Sequence, residues 1–316
     1  MIKWFNEPVP QFESSALTMG NFDGLHLGHQ KVLQDLKEQA AALNVPAVVL
    51  TYWEHPGHFV HFKHQVPILT PRVLKSALLS QLGAEYTFYL NFSAETAHVG
   101  AEEFLRDVIV SYFHPRIIVA GHDSHFGYQR EGDAAFLQRC ETVFGYQTVQ
   151  VEPVLYEGTI ISSSRIREQL LAGNIKTANA MLGKPYSLFG QVTHGHKMGR
   201  SIGFPTINLS LIDREQLIPA NGIYFSQVWL EGMRYFGLTN IGTSPTLKKT
   251  DQIEIETYIL DFTGDTYETE VKLDLLEYMR EEKTFAEVEE LRSAIANDIR
   301  QGRELMKIYG NKSDAK

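Results

Sequence analysis

Near Lys184-Pro185-Tyr186 the hydrophobic pattern of this sequence changes period. Before that point, strand-like and helix-like segments alternate. Apolar runs at Ser15–Met19, residues 45–52, Tyr86–Leu90, residues 117–120 and residues 147–154 read as strands. Between them, 3.6-residue patterns over Leu27–Leu43, residues 70–82, residues 101–113 and Ala134–Phe144 read as helices. Such alternation predicts a doubly wound sheet with helices on both faces. Ligands of such sheets sit at the carboxyl ends of the strands, where the strand order reverses. Two short helical patterns, residues 165–172 and 177–182, lead up to the junction.

Beyond the junction, residues 187–193, 223–230, 234–240, 253–260 and 270–276 read as strands. Glu231-Gly232 reads as the tight turn of a hairpin. Several short strands with turn signals predict a sandwich or barrel. Phe285, Val288, Leu291, Ile295, Ile299 and Leu305 then form the apolar stripe of a closing helix. Thr284, with Glu287 three residues on, makes a capping-box pattern at its start. The expected organisation is one domain over residues 1–184 and another over residues 185–316, since 316 residues suit two cores better than one.

The formal net charge of −9 argues against general nucleic-acid binding, which rests on neutralising phosphates with Lys and Arg. No apolar run approaches a membrane span, so no membrane partner is expected. Residues 1–15 lack the apolar stretch of a secretory signal, and the expected setting is the cytoplasm. Cys140 is the single cysteine, so neither an internal disulfide nor a cysteine-cluster metal site can form. It follows Phe136 and Leu137 at helical spacing and reads as a packed thiol.

His26 and His29 stand at the start of the first helix, directly after a glycine-bracketed turn. Their spacing puts both imidazoles on one face. The helix start adds unpaired amides and a positive dipole end. Gly20, Gly24 and Gly28 admit a ligand close to the backbone. Together these make a seat for a triphosphate and would stabilise charge building on its α-phosphate. The spacing alone also suits a surface pair or half of a metal site. A second helix start, Ser162-Ser163-Ser164-Arg165-Ile166-Arg167, brings hydroxyls, amides and arginines suited to phosphate.

These segments resemble the HxGH nucleotidyltransferases, specifically the adenylyltransferase half of the prokaryotic bifunctional riboflavin kinase/FAD synthetases. The resemblance implies a Rossmann-like α/β domain in which His26, His29 and Arg167 are catalytic and contact ATP phosphates. Gly20, Phe22, Asp23 and Gly28 would line the nucleotide, and Ser163 and Ser164 would bind phosphate. The family's Thr-Phe-x-Pro-His-Pro stretch near the flavin is matched by Thr51-Tyr52-Trp53-Glu54-His55-Pro56, with Glu54 in place of proline. Its glycine-bounded loop is matched by Gly121-His122-Asp123-Ser124-His125-Phe126-Gly127, with Ser124 in place of an aromatic residue. His55, Pro56 and Asp123 would face the flavin. His55, His58, His61 and His64 recur every third residue, but Pro56-Gly57 breaks any regular helix and no carboxylate completes a ligand set. A loop with solvated histidines is expected there rather than a metal site.

In the second half, Gly195-His196-Lys197-Met198-Gly199-Arg200-Ser201-Ile202-Gly203-Phe204-Pro205-Thr206-Ile207-Asn208 is glycine-rich and basic. It is not a Walker loop, because Arg200 stands where lysine is needed and the glycine spacing differs. Glycine content alone suits a surface loop. The stretch resembles the flavokinase signature, with Ile207 in place of alanine. The resemblance implies that Gly195, Gly199, Arg200 and Gly203 wrap ATP while Thr206 and Asn208 hold Mg²⁺ and the phosphates. Oxygen ligands of this kind suit a hard cation. A base for the ribityl hydroxyl is expected on the strand over residues 253–260, where Glu254 and Glu256 share a face and alternation leaves both open. The family's Glu-x-x-x-Leu-Asp pattern matches Glu256, with Leu260 and Asp261 following, and implies it as general base. Asn240-Ile241-Gly242-Thr243-Ser244-Pro245-Thr246, Asp265-Thr266-Tyr267, Arg280 and Phe285 extend the match.

The resemblance thus implies a bifunctional enzyme with a flavokinase β-barrel domain and a closing helix after the α/β domain. Riboflavin, FMN and ATP with Mg²⁺ would be its small-molecule partners, and no bound redox cofactor is expected. Glu54 and Ser124 motivate one alternative, a kinase whose first domain is inactive or takes another substrate. An alternative of another class is a non-catalytic flavin-responsive regulator.

Overall fold

The computed structural model describes residues 4–53, 66–91, 93, 95–193, 202–243, 253–264, 266 and 268–313. By compactness the chain forms two units, Met1–Ser163 and Ser164–Lys316.

The first unit is built on a sheet of order β3-β2-β1-β4-β5, with every pairing parallel. Its strands are β1 Ser15–Met19, β2 Ala47–Tyr52, β3 Tyr86–Leu90, β4 Pro115–Gly121 and β5 Gln147–Val151, and a separate short hairpin of β6 Leu155–Tyr156 and β7 Thr159–Ile160 follows. Alternate residues feed opposite faces, and both faces are covered, as a parallel sheet requires. Leu17, Val48, Leu50 and Ile118 join Phe104, Leu105, Ile109 and Phe113 on one side. Ala16, Val49, Ile117 and Val119 join Leu33 and Leu36 of helix α1 (Leu27–Leu43) and Leu79 of the helix Arg72–Gln81 on the other. The strand order reverses between β1 and β4. The helical stretch expected at 101–113 widens to a π-turn over Leu105–Val110, which buries Leu105, Val108 and Ile109.

The second unit is a closed antiparallel barrel of order β10-β11-β12-β9-β8-β13. Its strands are β8 Tyr186–Thr193, β9 Ile207–Leu211, β10 Gly222–Leu230, β11 Met233–Thr243, β12 Ile253–Ile259 and β13 Glu270–Arg280. Closure removes every free strand edge. At the β10–β11 hairpin Glu231 and Gly232 take φ values of 49° and 79°, the left-handed pair that a tight primed turn demands. The expected strands omit β9, which is short and continues the glycine-rich stretch. Helices Ser163–Leu171 and Ile175–Leu182 belong by compactness to this unit, whereas the change of sequence pattern lies after them. Asn179 shows why: its amide donates to the Leu275 carbonyl (2.8 Å) and accepts from the Tyr186 N–H (2.7 Å).

The closing helix is Val288–Ser313, so the capping box expected at Thr284 and Glu287 does not form. Glu290 reaches back instead, accepting the Ala286 N–H at 3.3 Å, and Phe285 precedes the helix. Ile299, Leu305, Met306 and Tyr309 pack on Phe225, Phe236, Leu238, Leu260 and Leu276. Arg280 of β13 grips the buried Asp298 through two bonds of 3.0 and 2.7 Å, a fork geometry suited to a carboxylate.

Candidate active sites

In the first unit, the chain leaves β1 through a turn with positive φ at Phe22 (50°), Gly24 (83°) and Leu25 (47°). Two bulky residues in the left-handed region cost about 1–3 kcal/mol each, so surrounding contacts must hold them. The buried Asp23 carboxylate accepts the Leu69 N–H (2.9 and 3.0 Å) and the Thr70 N–H (3.0 Å). The Gly24 N–H donates to the Thr70 hydroxyl at 3.0 Å. The Asn21 carbonyl accepts the Thr51 hydroxyl (3.1 Å), and the Asp23 carbonyl accepts the Ser163 hydroxyl (2.9 Å). The turn is tied down on every side.

It delivers the chain to His26, which caps α1: its Nδ1 accepts the His29 N–H at 3.3 Å. An accepting Nδ1 places the proton of a neutral ring on Nε2. The two imidazoles stack with centroids 3.7 Å apart and planes 16° off parallel. Gly28 makes room for this, since a Cβ there would stand 3.1 Å from the His26 ring. Phe22 meets His29 edge-on at 5.2 Å. The Nδ1 of His29 is buried and has no hydrogen-bond partner among the described residues. Burial, then His26, then Lys75 hold the His29 imidazole well below the usual histidine range. At neutral pH His29 therefore brings a neutral ring, and a bound polyphosphate would oppose that shift.

The loop after β4 leaves the neighbouring strand at the reversal of strand order, where ligand crevices form in such sheets. Asp123 stands on this loop with its side chain 72% exposed and His122 Nδ1 at 3.6 Å. Arg167 and Ser164 fall in the second unit, Arg167 buried beside Ile166 and Leu170, Ser164 exposed. The structure thus gathers Gly20, Phe22, Asp23, His26, Gly28, His29 and Ser163 in one region of the first unit. Within it, Asp23 spends its carboxylate on backbone amides.

Sequence reasoning missed Lys75. Its Nζ donates to the carbonyls of Asn21 (3.3 Å) and Tyr52 (3.0 Å), and burial pulls its ammonium down to about 8. Its signal was a lysine on the buried face of a helix, four residues before Leu79.

In the barrel, register aligns Asn208 of β9, Glu256 of β12 and Asn240 of β11 in one row. Glu254 lies opposite Gly242, outside the β12–β9 pairing. The intervening residue Thr257 belongs to a buried hydroxyl chain in which Ser226–Thr239 and Thr239–Thr257 are 2.6 and 2.9 Å apart. By alternation, Glu256 and Asn240 occupy the opposite face. Asn240 Oδ1 is buried without a partner among the described residues. Thr206 precedes β9, and Gly203 is exposed with φ 92°. Glu54, His55, Pro56, His58, His61, His64, Gly195, Gly199, Arg200, residues 244–246, Asp265 and Tyr267 lie outside the described residues.

A histidine-capped helix at the strand reversal of a parallel sheet, followed by a barrel with an Asn/Glu/Asn row, defines a class: a nucleotidyltransferase-type unit joined to a flavokinase-type unit. A family model described as FAD synthetase matches residues 9–165, and one described as riboflavin kinase matches residues 182–306. The bifunctional riboflavin kinase/FMN adenylyltransferase of Escherichia coli (strain K12) is 34% identical over 297 residues, covering 94% of each chain. That of Pseudomonas fluorescens is 32% identical over 305 residues, covering 96% of this chain and 97% of its own. A solved structure described as a macrolide-efflux protein from Streptococcus pneumoniae matches with TM-score 0.85 and 31% identity, covering 93% of this chain and 95% of that one. The efflux description is that protein's, and among the described residues here no helix is long and apolar enough to cross a membrane. The chain belongs to the bifunctional riboflavin kinase/FMN adenylyltransferase family. Kinase and adenylyltransferase chemistry both take a nucleotide substrate.

Proposed function

We propose that this chain makes FAD in two ATP-dependent steps, carried by residues 185–316 and residues 1–184 in that order. In the first step, the riboflavin ribityl hydroxyl attacks the γ-phosphorus of ATP, giving FMN and ADP. In the second, an FMN phosphate oxygen attacks the α-phosphorus of another ATP. The bond to the β-phosphate breaks and pyrophosphate leaves. The observation that carries this reading is the pairing, in one chain, of the stacked His26–His29 helix start with the Asn208–Glu256 row.

FMN phosphate is already anionic, so adenylyl transfer needs no protein nucleophile; positioning and electrostatics suffice. His26 and His29 offer ring N–H groups to the ATP phosphates, joined by Ser163, Ser164 and Arg167. Gly20, Phe22, Asp23 and Gly28 shape the nucleotide seat, and His55, Pro56 and Asp123 face the flavin. In the kinase step Gly195, Gly199, Arg200 and Gly203 cover ATP. Glu256, opposite Asn208 in the ladder, accepts the hydroxyl proton. The Thr206 hydroxyl and Asn208 amide are hard oxygen donors two residues apart, which fits a Mg²⁺ ion held mainly by phosphate and water. When bound, Mg²⁺ neutralises phosphate charge. We place the enzyme in the cytoplasm, with riboflavin, FMN and ATP as partners and neither nucleic acid nor membrane among them.

Incubation with riboflavin, ATP and Mg²⁺, followed by chromatography of the flavins, tests the proposal. FMN and FAD are both expected. FMN alone would leave a kinase with an inactive first unit, and flavin binding without turnover would point to a regulator.

A further inference from the structure

Lys75 is a buried cation, with 4% of its surface exposed. An ammonium in such a place is held against a desolvation cost, and methionine would fill the same volume without it. Two observations say what the charge holds. Its Nζ bonds to the carbonyl of Asn21, beyond the end of β1, and to that of Tyr52, the last residue of β2. One side chain therefore bridges the carboxyl ends of two neighbouring strands. The chain just ahead of the same helix, Leu69 and Thr70, grips Asp23 and Gly24 in the strained turn. That turn leads directly into His26 and His29.

We propose that Lys75 is a positioning residue of the adenylyl-transfer step: its ammonium locks the turn over residues 20–24 across the ends of β1 and β2, and so sets His26 and His29 against the ATP phosphates. The inference rests on the reading that the first unit adenylates FMN. Among the described residues, the titratable and charged groups acting on this spot are Asp23 in the turn, His26 capping α1, His29 on α1, Tyr52 at the end of β2 and Arg72 on the lysine's own helix. Asp23 favours the charged lysine and Arg72 opposes it. The charge reaches His29 in turn, as the third cause of its depressed titration after burial and His26.

The test uses the full chain with Lys75→Met, which keeps volume and removes charge and donors. Three quantities are measured on one preparation: FAD formation from FMN and ATP, FMN formation from riboflavin and ATP, and the His29 titration by NMR. Expected are a loss of FAD formation of roughly 100-fold, the scale of a small misplacement of reacting groups, an unchanged kinase step, and a His29 titration moved to higher pH. Undiminished FAD formation overturns the proposal. So does a loss with the His29 titration unmoved, which would mark general damage. Should Lys75→Met fail to fold, Lys75→Arg decides: with the cation kept, His29 stays depressed, and a return to the ordinary histidine range overturns the proposal. If the unaltered chain makes no FAD from FMN, the adenylyltransferase reading fails by itself, and the His29 titrations still decide the role of Lys75.

Discussion

The two units present their candidate side chains by different means. In the barrel, Asn208, Glu256 and Asn240 lie in a row because the antiparallel ladder places them there. The same hydrogen bonds that make the sheet position the groups, so no outside support is needed. In the α/β unit the strands are parallel and the groups sit past their ends, on a turn that no ladder reaches. That turn holds Phe22 and Leu25 at positive φ, and residues far away in sequence restrain it: Thr51, Leu69, Thr70, Lys75 and Ser163. A site set by register tolerates change nearby. A site set by clamps is exposed to change at every clamp.

The sharpest way to break the comparison is a reciprocal pair of variants. Glu256→Gln should cut the kinase step by roughly 10²–10⁴-fold, the usual worth of a general base, and leave FAD formation from FMN intact. His26→Ala should do the reverse, and Glu254→Gln should spare both. Loss of both activities in either of the first two variants would contradict separate sites.

Next come two carboxylates that stabilise their units differently. Asp298→Ala removes the buried carboxylate, leaves the Arg280 guanidinium without its two acceptors, and should destabilise the second unit by about 3 kcal/mol. Asp23→Ala leaves the Leu69 and Thr70 amides without their acceptor and should cost the first unit about 1–3 kcal/mol. Denaturant unfolding can separate the units, because Trp4 and Trp53 report on the first and Trp229 on the second. FAD formation should fall with Asp23→Ala even in water, where the unit is still folded. If it does not, the turn is not set by its clamps.

The smallest net effect at neutral pH is expected from the buried lysine, whose signature is in pH dependence. Burial lowers Lys75 from 10.5 to about 8, which amounts to about 3 kcal/mol against folding at neutral pH. Between those values the unfolded chain binds a proton that the folded unit has released. This contribution therefore raises stability as pH climbs through that window. His29 has the same sign: its folded value lies below 6.5, so stability is lost as pH falls beneath 6.5 and the unfolded imidazole takes up a proton. Lys75→Met should abolish the alkaline window. Its net effect on stability at pH 7 should be small, since relief of the buried charge opposes the loss of a partner for the Tyr52 carbonyl.

Much of this architecture was legible in local pattern. Leu27–Leu43 and Ala134–Phe144 are helices over the residues their periodicity predicts, and Glu231-Gly232 is the turn its residues announce. The histidine pair and the glycine-rich stretch were legible as matches to family signatures, because each is contiguous in the sequence. Local signals misled where tertiary contacts outweighed them. Thr284 and Glu287 make a capping pattern, yet the helix begins at Val288 with Glu290 reaching back to Ala286. β9 hid in the glycine-rich stretch because its partners, β8 before it and β12 after it, supply the ladder that makes it a strand.

Periodicity, turn chemistry and charge, all properties of near neighbours along the chain, were enough to divide this protein into an α/β half and a β half and to draw attention to His26 and His29, whereas Thr206 and Asn208 came from the family resemblance alone. Only folding set Glu256 opposite Asn208 while Glu254 fell outside that pairing, tied the Asp23 carboxylate to the Leu69 and Thr70 amides, depressed the His29 titration and buried Lys75. Each of those depends on groups brought together from distant parts of the chain or on removal from water, and neither is written in the spacing of residues along one segment.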